Sequence, residues 1–269
     1  PALAADVRGV GRLQVFAGGR LVTAGYPEAA PSFLLEETES GIGVAHRFDA
    51  MGLVTGAVFT DWDGDGDPDL AIAQEWGPPR LFRNDSGNWA EWIPRVRGVS
   101  GERALTDFSG WWNGVAAGDF DGDGRMDLVL SNWGRNWRPE PLPNREIPVE
   151  LHHGRFQESS GIQMLVASRD PGVGSSTPWR ERDAVLQVFP SLAQRLPTYH
   201  AYGGAGVDEV LGESIAQRRV LRSGWFGSAI LLNRGEWWEI RELPAEAQWT
   251  PAFGVAVLDV DGDGREDLF

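Results

Sequence analysis

The chain has 269 residues, 42% of them hydrophobic and 10% aromatic, which suits one large or two small ordered domains and excludes a disordered acidic tail. Its 39 acidic and 24 basic residues give a formal net charge of −15, which disfavours nucleic acid and anionic membranes as partners. The absence of cysteine excludes disulfides and thiolate chemistry, and no apolar run approaches the ~18–20 residues of a membrane-spanning helix.

The first predicted elements in chain order surround an aspartate-rich loop that occurs three times. It reads DWDGDGDPDL at 61–70, DFDGDGRMDL at 119–128 and DVDGDGREDL at 259–268, and the three copies contain 13 aspartates, about a third of the number of acidic residues in the chain. The segments before and after each loop are short, apolar and rich in small or β-branched residues. We therefore predict a strand on each side and a hairpin closed by the loop.

A second pattern recurs further along the chain. The stretch RLFRNDSGNWAEW at 80–92 is similar to AILLNRGEWWEI at 229–240. Each predicts a strand, a turn that begins with asparagine and contains glycine, and an aromatic-rich strand. The repeating unit would then have four strands, and four-stranded units repeated along a chain are typical of β-propeller blades.

The region between the second and third loops is too long for one such unit. We expect a degenerate unit at 150–168, where the loop near 156–161 has no acidic residue except Glu158. Residues 180–196 show apolar residues at helical spacing with a break at Pro190, and 206–220 is a second helical candidate. These segments predict a small helical insertion at about 180–220.

The spacing of the aspartates predicts calcium sites. Calcium takes six to eight oxygen ligands at about 2.3–2.6 Å, and a loop can supply them from alternate positions if glycine allows a tight turn. In all three loops, positions 1, 3, 5 and 9 are aspartates and position 6 is glycine, while an arginine at position 7 would contribute its backbone carbonyl. The predicted ligands, for about three Ca²⁺ ions, are Asp61, Asp63, Asp65, Asp67 and Asp69; Asp119, Asp121, Asp123, Arg125 and Asp127; and Asp259, Asp261, Asp263, Arg265 and Asp267.

The same loops fit other ion-binding motifs and a metal-free turn less well. An EF-hand requires glutamate at position 12 followed by a helix, whereas position 12 is Ile72 or Leu130 and a strand is expected next. Thrombospondin-type calcium repeats would bring cysteines. Magnesium retains several waters and prefers few protein ligands. Metal-free Asp-Gly turns would not account for three copies with the same spacing.

These loops and their flanking strands resemble FG-GAP/VCBS repeats, the calcium-loop blades of integrin α-subunit propellers, and Phe253–Gly254 supplies the literal FG. The stretches GDFDGDGRMDLVLSNWG, RLPTYHAY and ILLNRG are similar to the cartilage-acidic-protein-like (ASPIC/UnbV-associated) group of secreted bacterial propellers. The resemblance implies a calcium-binding, all-β propeller with seven blades in the full-length protein, located outside the cytoplasm (secreted, extracellular or periplasmic). We expect residues 1–269 to form one propeller domain, incomplete at both ends, within a longer natural polypeptide.

Three hypotheses for function follow. The first is a non-catalytic, calcium-stabilised extracellular module for protein interaction, adhesion or scaffolding, with a protein or glycan partner or further copies of the chain. The second is a lectin-like module that stacks sugars on exposed tryptophans, although tryptophans more often pack between blades. The third, a polysaccharide-acting enzyme, has no catalytic set in the sequence. The tryptophans that cluster in two of the predicted blades are Trp76, Trp89, Trp92, Trp111, Trp112, Trp133 and Trp137.

Overall fold

The structure, a computed structural model, describes residues 1–99, 101–136, 147–156, 161–263 and 266–269, with the side chains of 213 and 214 left out. These residues form two compact units. The first unit comprises Pro1–Val22, Glu28–Glu140 and Trp225–Phe269, and the second comprises Thr23–Pro27 and Pro141–Gly224. Strands dominate unit 1, whereas unit 2 combines one sheet with short helices, and most strands pair antiparallel, so the prediction of a mainly β fold with few helices is confirmed.

The first sheet of unit 1 is an antiparallel meander of four consecutive strands. These are β1 (Ala2–Ala5), β2 (Gln14–Ala17), β3 (Ser32–Thr38) and β4 (Gly41–Phe48). Alternate residues face a core that contains Phe16, Leu34 and Phe48, as expected for strands with one buried face.

The second sheet contains the strands on both sides of the first aspartate loop. Its consecutive strands are β5 (Leu53–Thr60), β6 (Asp69–Gly77), β7 (Arg80–Asp85) and β8 (Asn88–Trp92). Every residue of β6 is buried, in agreement with the unbroken apolar run predicted there. The chain continues through β9 (Arg95–Gly98), β10 (Gly101–Ala104) and β11 (Gly110–Trp111), and β11 pairs with β6.

The second aspartate loop joins β12 (Gly114–Gly118) to β13 (Asp127–Ser131). The chain then enters unit 2, whose sheet consists of β14 (Val149–Gly154), β15 (Gln163–Asp170), β16 (Ser175–Pro178) and β17 (Arg219–Ser223). The strand order is β16-β15-β14-β17, which differs from the simple meander of a four-stranded blade.

Unit 2 also contains the α-helices of the described residues. These are α1 (Arg182–Val188), α2 (Leu192–Arg195), α3 (Tyr199–Gly203) and α4 (Val207–Leu211), followed by a 3₁₀ turn at Gly212–Gln217. The break between α1 and α2 includes Pro190, as its lack of an N–H predicts. No helix in the described part of the chain has the length and apolar character needed to cross a bilayer.

The chain returns to unit 1 and completes the third sheet. Strands β18 (Ala229–Asn233) and β19 (Trp237–Glu242) extend the sheet beyond β13, and the hairpin β9–β10 joins it through a parallel pairing of β9 with β19. The long interval between the second and third loops is therefore an excursion within one four-stranded unit. From the sequence we predicted a degenerate unit in that interval. We did not predict that β18 and β19 complete the sheet that β12 and β13 begin.

The third aspartate loop lies in a short hairpin of β20 (Val257–Leu258) and β21 (Asp267–Leu268). Four strands with an aspartate loop between the first two are thus present in β5–β8 and in β12, β13, β18 and β19, although in the second set unit 2 lies between β13 and β18 in the chain. The number of blades, the closure of a ring and the single-domain organisation stay predictions.

Candidate metal sites

All three aspartate loops are closed by the same strand register. The residue before position 1 pairs with the aspartate at position 9, and the pairs are Thr60 with Asp69, Gly118 with Asp127, and Leu258 with Asp267. The hairpin predicted from the sequence is therefore present at each loop.

The carboxylate at position 1 folds each loop back on itself by accepting two backbone N–H groups. The contacts are Asp61 with Gly64 and Gly66 at 2.8 and 3.0 Å, Asp119 with Asp123 and Gly124 at 3.0 and 2.9 Å, and Asp259 with Gly262 and Asp263 at 2.7 and 3.1 Å. The turn passes through glycines in the left-handed region, for example Gly64 at φ 76° and Gly66 at φ 94°. Glycine adopts this conformation readily because it has no Cβ.

The aspartate at position 9 is buried in the first two loops. Asp69 and Asp127 are both 0% exposed. In each, Oδ2 accepts the N–H of position 2, at 3.4 Å from Trp62 and 3.1 Å from Phe120. Burial raises the pKa of Asp69 to about 7 and that of Asp127 to about 6. A nearby cation would favour the charged form of both groups.

The structure brings three carboxylates together in each loop. One oxygen from each member of a group lies within 4.8 Å of the others. The first two groups use positions 1, 3 and 9, whereas the third uses the exposed positions 1, 3 and 5. The groups are Asp61, Asp63 and Asp69; Asp119, Asp121 and Asp127; and Asp259, Asp261 and Asp263.

The other predicted ligands have different contacts. Asp67 accepts the backbone N–H of Ser86 at 2.8 Å. Asp65 and Asp123 each accept the backbone N–H of position 7, at 2.9 and 3.0 Å. Asp267 accepts the Val260 N–H at 3.0 Å.

At position 7 of the second loop, the Arg125 guanidinium contacts Asp123 and donates to the carbonyl of Asn233. Arg265 lies outside the described residues. The ligand role of the backbone carbonyl at position 7 stays a prediction.

Arginines outside the loops also contact the carboxylates. Arg83 Nε lies 3.3 Å from Asp63, and Arg234 contacts both Asp121 and Asp123.

The candidate ligand atoms in the three groups are carboxylate oxygens, which bind hard cations such as calcium rather than soft thiolate-bound metals. Three groups could therefore bind metal ions, and the chemistry of their atoms is compatible with Ca²⁺.

Two further loops of the same length share this framework and were not recognised in the sequence as members of one set. They are 6–14 (DVRGVGRLQ) and 155–163 (RFQESSGIQ), with glutamine at position 9. Ala5 pairs with Gln14 and Gly154 with Gln163, in the register of the aspartate loops. Gln14 Oε1 accepts the Val7 N–H at 3.1 Å, and Gln163 Oε1 accepts the Phe156 N–H at 2.7 Å.

A signal for the first of these loops was present in the sequence. Asp6, Gly9 and Gly11 occupy positions 1, 4 and 6, as Asp61, Gly64 and Gly66 do. The loop keeps the turn residues but has Arg8 and Val10 at positions 3 and 5, so the spacing of carboxylates does not identify it. In loop 155–163 the expected loss of acidic ligands involves residues 157–160, which lie outside the described residues.

The sequence also gave no role to the asparagine that opens the recurring turn. Asn84 and Asn233 are buried, and the backbone N–H of each donates to Oδ1 of a position 9 aspartate. The distances are 2.8 Å to Asp69 and 2.7 Å to Asp127. Each asparagine thus positions a predicted ligand.

Most of the clustered tryptophans are packed. Trp112 is fully buried and donates to the Phe108 carbonyl at 3.0 Å, as expected for a packing role. Trp111 lies between Trp76 and Trp133, with ring centroids 4.8 and 4.6 Å away. The Trp111 and Trp133 rings are stacked on each other, so a sugar could not stack on the surfaces that face each other. Trp137 lies outside the described residues.

Unit 2 contains a polar cleft of about 470 Å³ between its sheet and the start of α4. Glu150 accepts from Arg222 Nε at 3.0 Å and contacts His152 Nε2 at 3.0 Å. Arg218 pairs with Asp208 on the opposite wall. Burial lowers the pKa of His152, which favours the neutral imidazole.

Comparison with known proteins supports part of the resemblance. Residues 61–130 match the sequence model of a family described as FG-GAP-like repeat. The match spans the first two aspartate loops and the strands between them. Comparison with curated proteins gives no match.

Proposed function

We propose that this chain is a calcium-stabilised β-propeller module that acts outside the cell in protein interaction, adhesion or scaffolding and performs no catalysis. Bound calcium would supply the positive charge that the carboxylate groups require. The repeat match over 61–130 and the four-stranded units around two aspartate loops support the propeller. The narrower resemblance to the cartilage-acidic-protein-like group is the basis for the seven blades and the location.

One observation carries the metal assignment. Two independent loops converge carboxylates from positions 1, 3 and 9 to within 4.8 Å, and each buries the last of them completely. A buried carboxylate is destabilising unless it is paired. Asp69 and Asp127 accept backbone N–H groups but have no arginine or histidine among their hydrogen-bond partners in the described part of the chain. A divalent cation would provide that pairing.

The test is thermal unfolding of the chain with and without calcium. A ligand at a hundred times its Kd adds about 2.7 kcal/mol per site to the free energy of unfolding. A change of 1 kcal/mol shifts the Tm of a chain of this size by roughly 2–4 °C. We therefore expect a chelator to lower the Tm by about 5–10 °C for each emptied site.

Calcium should restore the Tm at lower concentration than magnesium does, because the loops offer many protein oxygens, whereas magnesium retains several waters and takes few protein ligands. A Tm that does not respond to the chelator or to added calcium would contradict the proposal. Binding of glycans with a change in tryptophan fluorescence would instead favour the lectin-like alternative. Turnover of acidic polysaccharides would favour an enzyme.

A further inference from the structure

Asn233 joins the first aspartate loop to the second. Its backbone N–H donates to Asp127 Oδ1 at 2.7 Å, and its side-chain Nδ2 donates to the carbonyl oxygen of Trp62 at 2.8 Å. The N–H of Trp62 donates in turn to Asp69 Oδ2 at 3.4 Å. Only two residues therefore separate a carboxylate of one candidate site from a carboxylate of the other.

The remaining contacts of Asn233 fix it to the second loop. Its carbonyl accepts from Arg125 Nε at 2.9 Å, its Nδ2 also reaches the Met126 carbonyl at 3.3 Å, and its Oδ1 accepts the Gly235 N–H at 2.9 Å. The residue is 2% exposed. A buried side chain with all these partners has little freedom to move independently of the second loop.

Asn84 makes the same set of contacts one sheet earlier. Its N–H donates to Asp69 Oδ1, its Nδ2 donates to the Pro68 carbonyl at 3.0 Å, and its Oδ1 accepts the Gly87 N–H at 2.7 Å. The same Nδ2 donates at 2.6 Å to the carbonyl of Val7. Val7 is position 2 of loop 6–14, which has no carboxylate at positions 3, 5 or 9. Asn84 therefore connects a candidate metal site to a loop without a ligand set.

We propose that calcium binding at 61–69 and at 119–127 is positively coupled, and that Asn233 transmits the coupling. This inference rests on the proposed calcium sites. Calcium binding at the second loop would hold Asp127 in place and thereby order Asn233. Asn233 holds the Trp62 carbonyl, so the start of the first loop, where the Trp62 N–H contacts Asp69, would become ordered too. The first loop then loses less freedom when it binds, and linkage requires the effect to be equal in both directions.

Repulsion between the two bound ions would oppose this positive coupling. The two loops line a common groove of about 290 Å³, and two divalent ions near it would repel each other. Salt screens this repulsion at separations beyond about 8 Å at physiological ionic strength. The hydrogen-bonded connection is short-ranged and buried, so it is not screened in this way.

The test is a calorimetric Ca²⁺ titration of the full chain after chelator treatment and dialysis. The natural sequence is compared with a double variant, Asp121→Asn with Asp123→Asn, which disables the second site but keeps the Asp127 contact to Asn233. We expect the first site to bind calcium at least about fivefold more weakly in the double variant, the lower end of typical coupling factors. The variant also removes carboxylate contacts of Arg125 and Arg234, so Arg125→Ala with Arg234→Ala measures how much of the change those contacts cause. The reciprocal variant, Asp63→Asn with Asp65→Asn, should weaken the second site by the same factor.

Asn233→Ala should abolish this factor, so that the first site has the same affinity whether or not the second is disabled. Asn84→Ala is the matched control because it removes an equivalent bridge. It should lower the calcium affinity of the first site equally in the natural chain and in the Asp121 and Asp123 double variant. The ratio of the first-site affinities in those two chains should therefore not change. Far-ultraviolet circular dichroism verifies that each variant is folded, and the comparison of the Asp121 and Asp123 double variant with the natural sequence tests coupling even if Asn233→Ala does not fold.

The outcomes separate the two proposals. Calcium binding with a factor within twofold of unity, or with negative coupling, would overturn the coupling and leave the calcium sites in place. A factor that survives in Asn233→Ala, or that is lost equally in Asn84→Ala, would overturn the role of Asn233. A chain that binds no calcium at all would overturn the proposed sites and the coupling together.

Discussion

The loops 61–69 and 6–14 form the same bend although the side chains at positions 3, 5 and 9 differ. In both, an aspartate at position 1 accepts backbone N–H groups, glycines at positions 4 and 6 have positive φ, and the side chain at position 9 accepts the N–H of position 2. Position 9 is Asp69 in one loop and Gln14 in the other, and both are buried. Positions 3 and 5 are aspartates in one loop and Arg8 and Val10 in the other.

This comparison separates two roles that the aspartate at position 9 combines. The side-chain amide of Gln14 closes the hairpin without charge, so the bend requires an acceptor at position 9 and not a carboxylate. Loop 6–14 forms the bend without aspartates at positions 3 and 5, so the bend does not require carboxylates there, and in 61–69 they add repulsion between like charges. The cation proposed above would account for their presence in 61–69.

The largest effect should come from converting an aspartate loop into a glutamine loop. We predict that Asp63→Arg, Asp65→Val and Asp69→Gln together remove one bound calcium while the hairpin stays closed. In excess calcium the variant should lose about 2.7 kcal/mol, the contribution of one site at a hundred times its Kd. In chelator the variant should differ less from the natural chain than in calcium, because the lost repulsion offsets part of the cost of the Asn84 N–H, whose acceptor on Asp69 has no counterpart in a one-acceptor glutamine.

Calcium stoichiometry by calorimetry and chemical denaturation with and without calcium measure both parts of this prediction. The matched control makes the same substitutions at the second loop (Asp121→Arg, Asp123→Val and Asp127→Gln). A loss of stability in chelator as large as the loss in calcium would show that the carboxylates support the bend directly and not through a bound ion.

Much of the fold could be predicted from local pattern. The hairpins around the aspartate loops, the burial of β6 and the helix break at Pro190 all follow from hydrophobic spacing and turn residues. Sequence reasoning could not show that β18 and β19 pair beyond β13, because nothing local to β13 indicates which later strand completes its sheet. Such pairing depends on contacts distant in sequence.

The candidate site was predictable in its composition but not in its arrangement. Charge and spacing identify the thirteen aspartates, and three converging groups occur where the pattern places them. The burial of Asp69 and Asp127 and their contacts to Asn84 and Asn233 depend on neighbouring strands, so the loop sequence alone contains no sign of them. The spacing of charged residues cannot identify the glutamine loops, because glutamine at position 9 matches aspartate in hydrogen-bonding capacity but not in charge.

The second prediction tests the shared role of position 9. Gln14→Ala removes the acceptor of the buried Val7 N–H, and leaving such a group unsatisfied costs about 1–3 kcal/mol. Urea unfolding should show this loss to the same extent in calcium and in chelator. Gln163→Ala should behave likewise through the Phe156 N–H.

Gln14→Glu serves as the control because it keeps an acceptor oxygen at the same place. It should retain the hydrogen bond but introduce a buried charge, so its stability should recover as the pH is lowered towards protonation of the carboxyl. Equal stability of Gln14→Ala and the natural chain would mean that the contact at position 9 does not hold the loop closed.

A smaller effect is expected from the glycines at position 6. Gly66 and Gly11 have φ of 94° and 75°, and a Cβ added at either would meet no atom within 4 Å. Alanine there should cost roughly 1–2 kcal/mol through backbone conformation alone. Gly66→Ala should also weaken calcium binding at the first loop, whereas Gly11→Ala should leave all calcium affinities unchanged. A calcium effect of Gly11→Ala in calorimetry would contradict the assignment of loop 6–14 as metal-free.

The smallest effect concerns the pH response near the other glutamine loop. Position 9 of loop 155–163 cannot titrate, but His152 lies on the strand that precedes it, and burial lowers its pKa. The unfolded chain then binds a proton near pH 6.5 that the folded chain resists, so the free energy of unfolding should fall as the pH drops below about 6.5. His152→Asn, measured by urea unfolding between pH 7.5 and 5.5 in excess calcium, should show a free energy of unfolding that depends less on pH than that of the natural chain.

A titration of the His152 ring by NMR should give a midpoint below that of an exposed histidine. A midpoint above it would mean that the attraction of Glu150 outweighs burial, and the chain would then gain stability from His152 in mild acid.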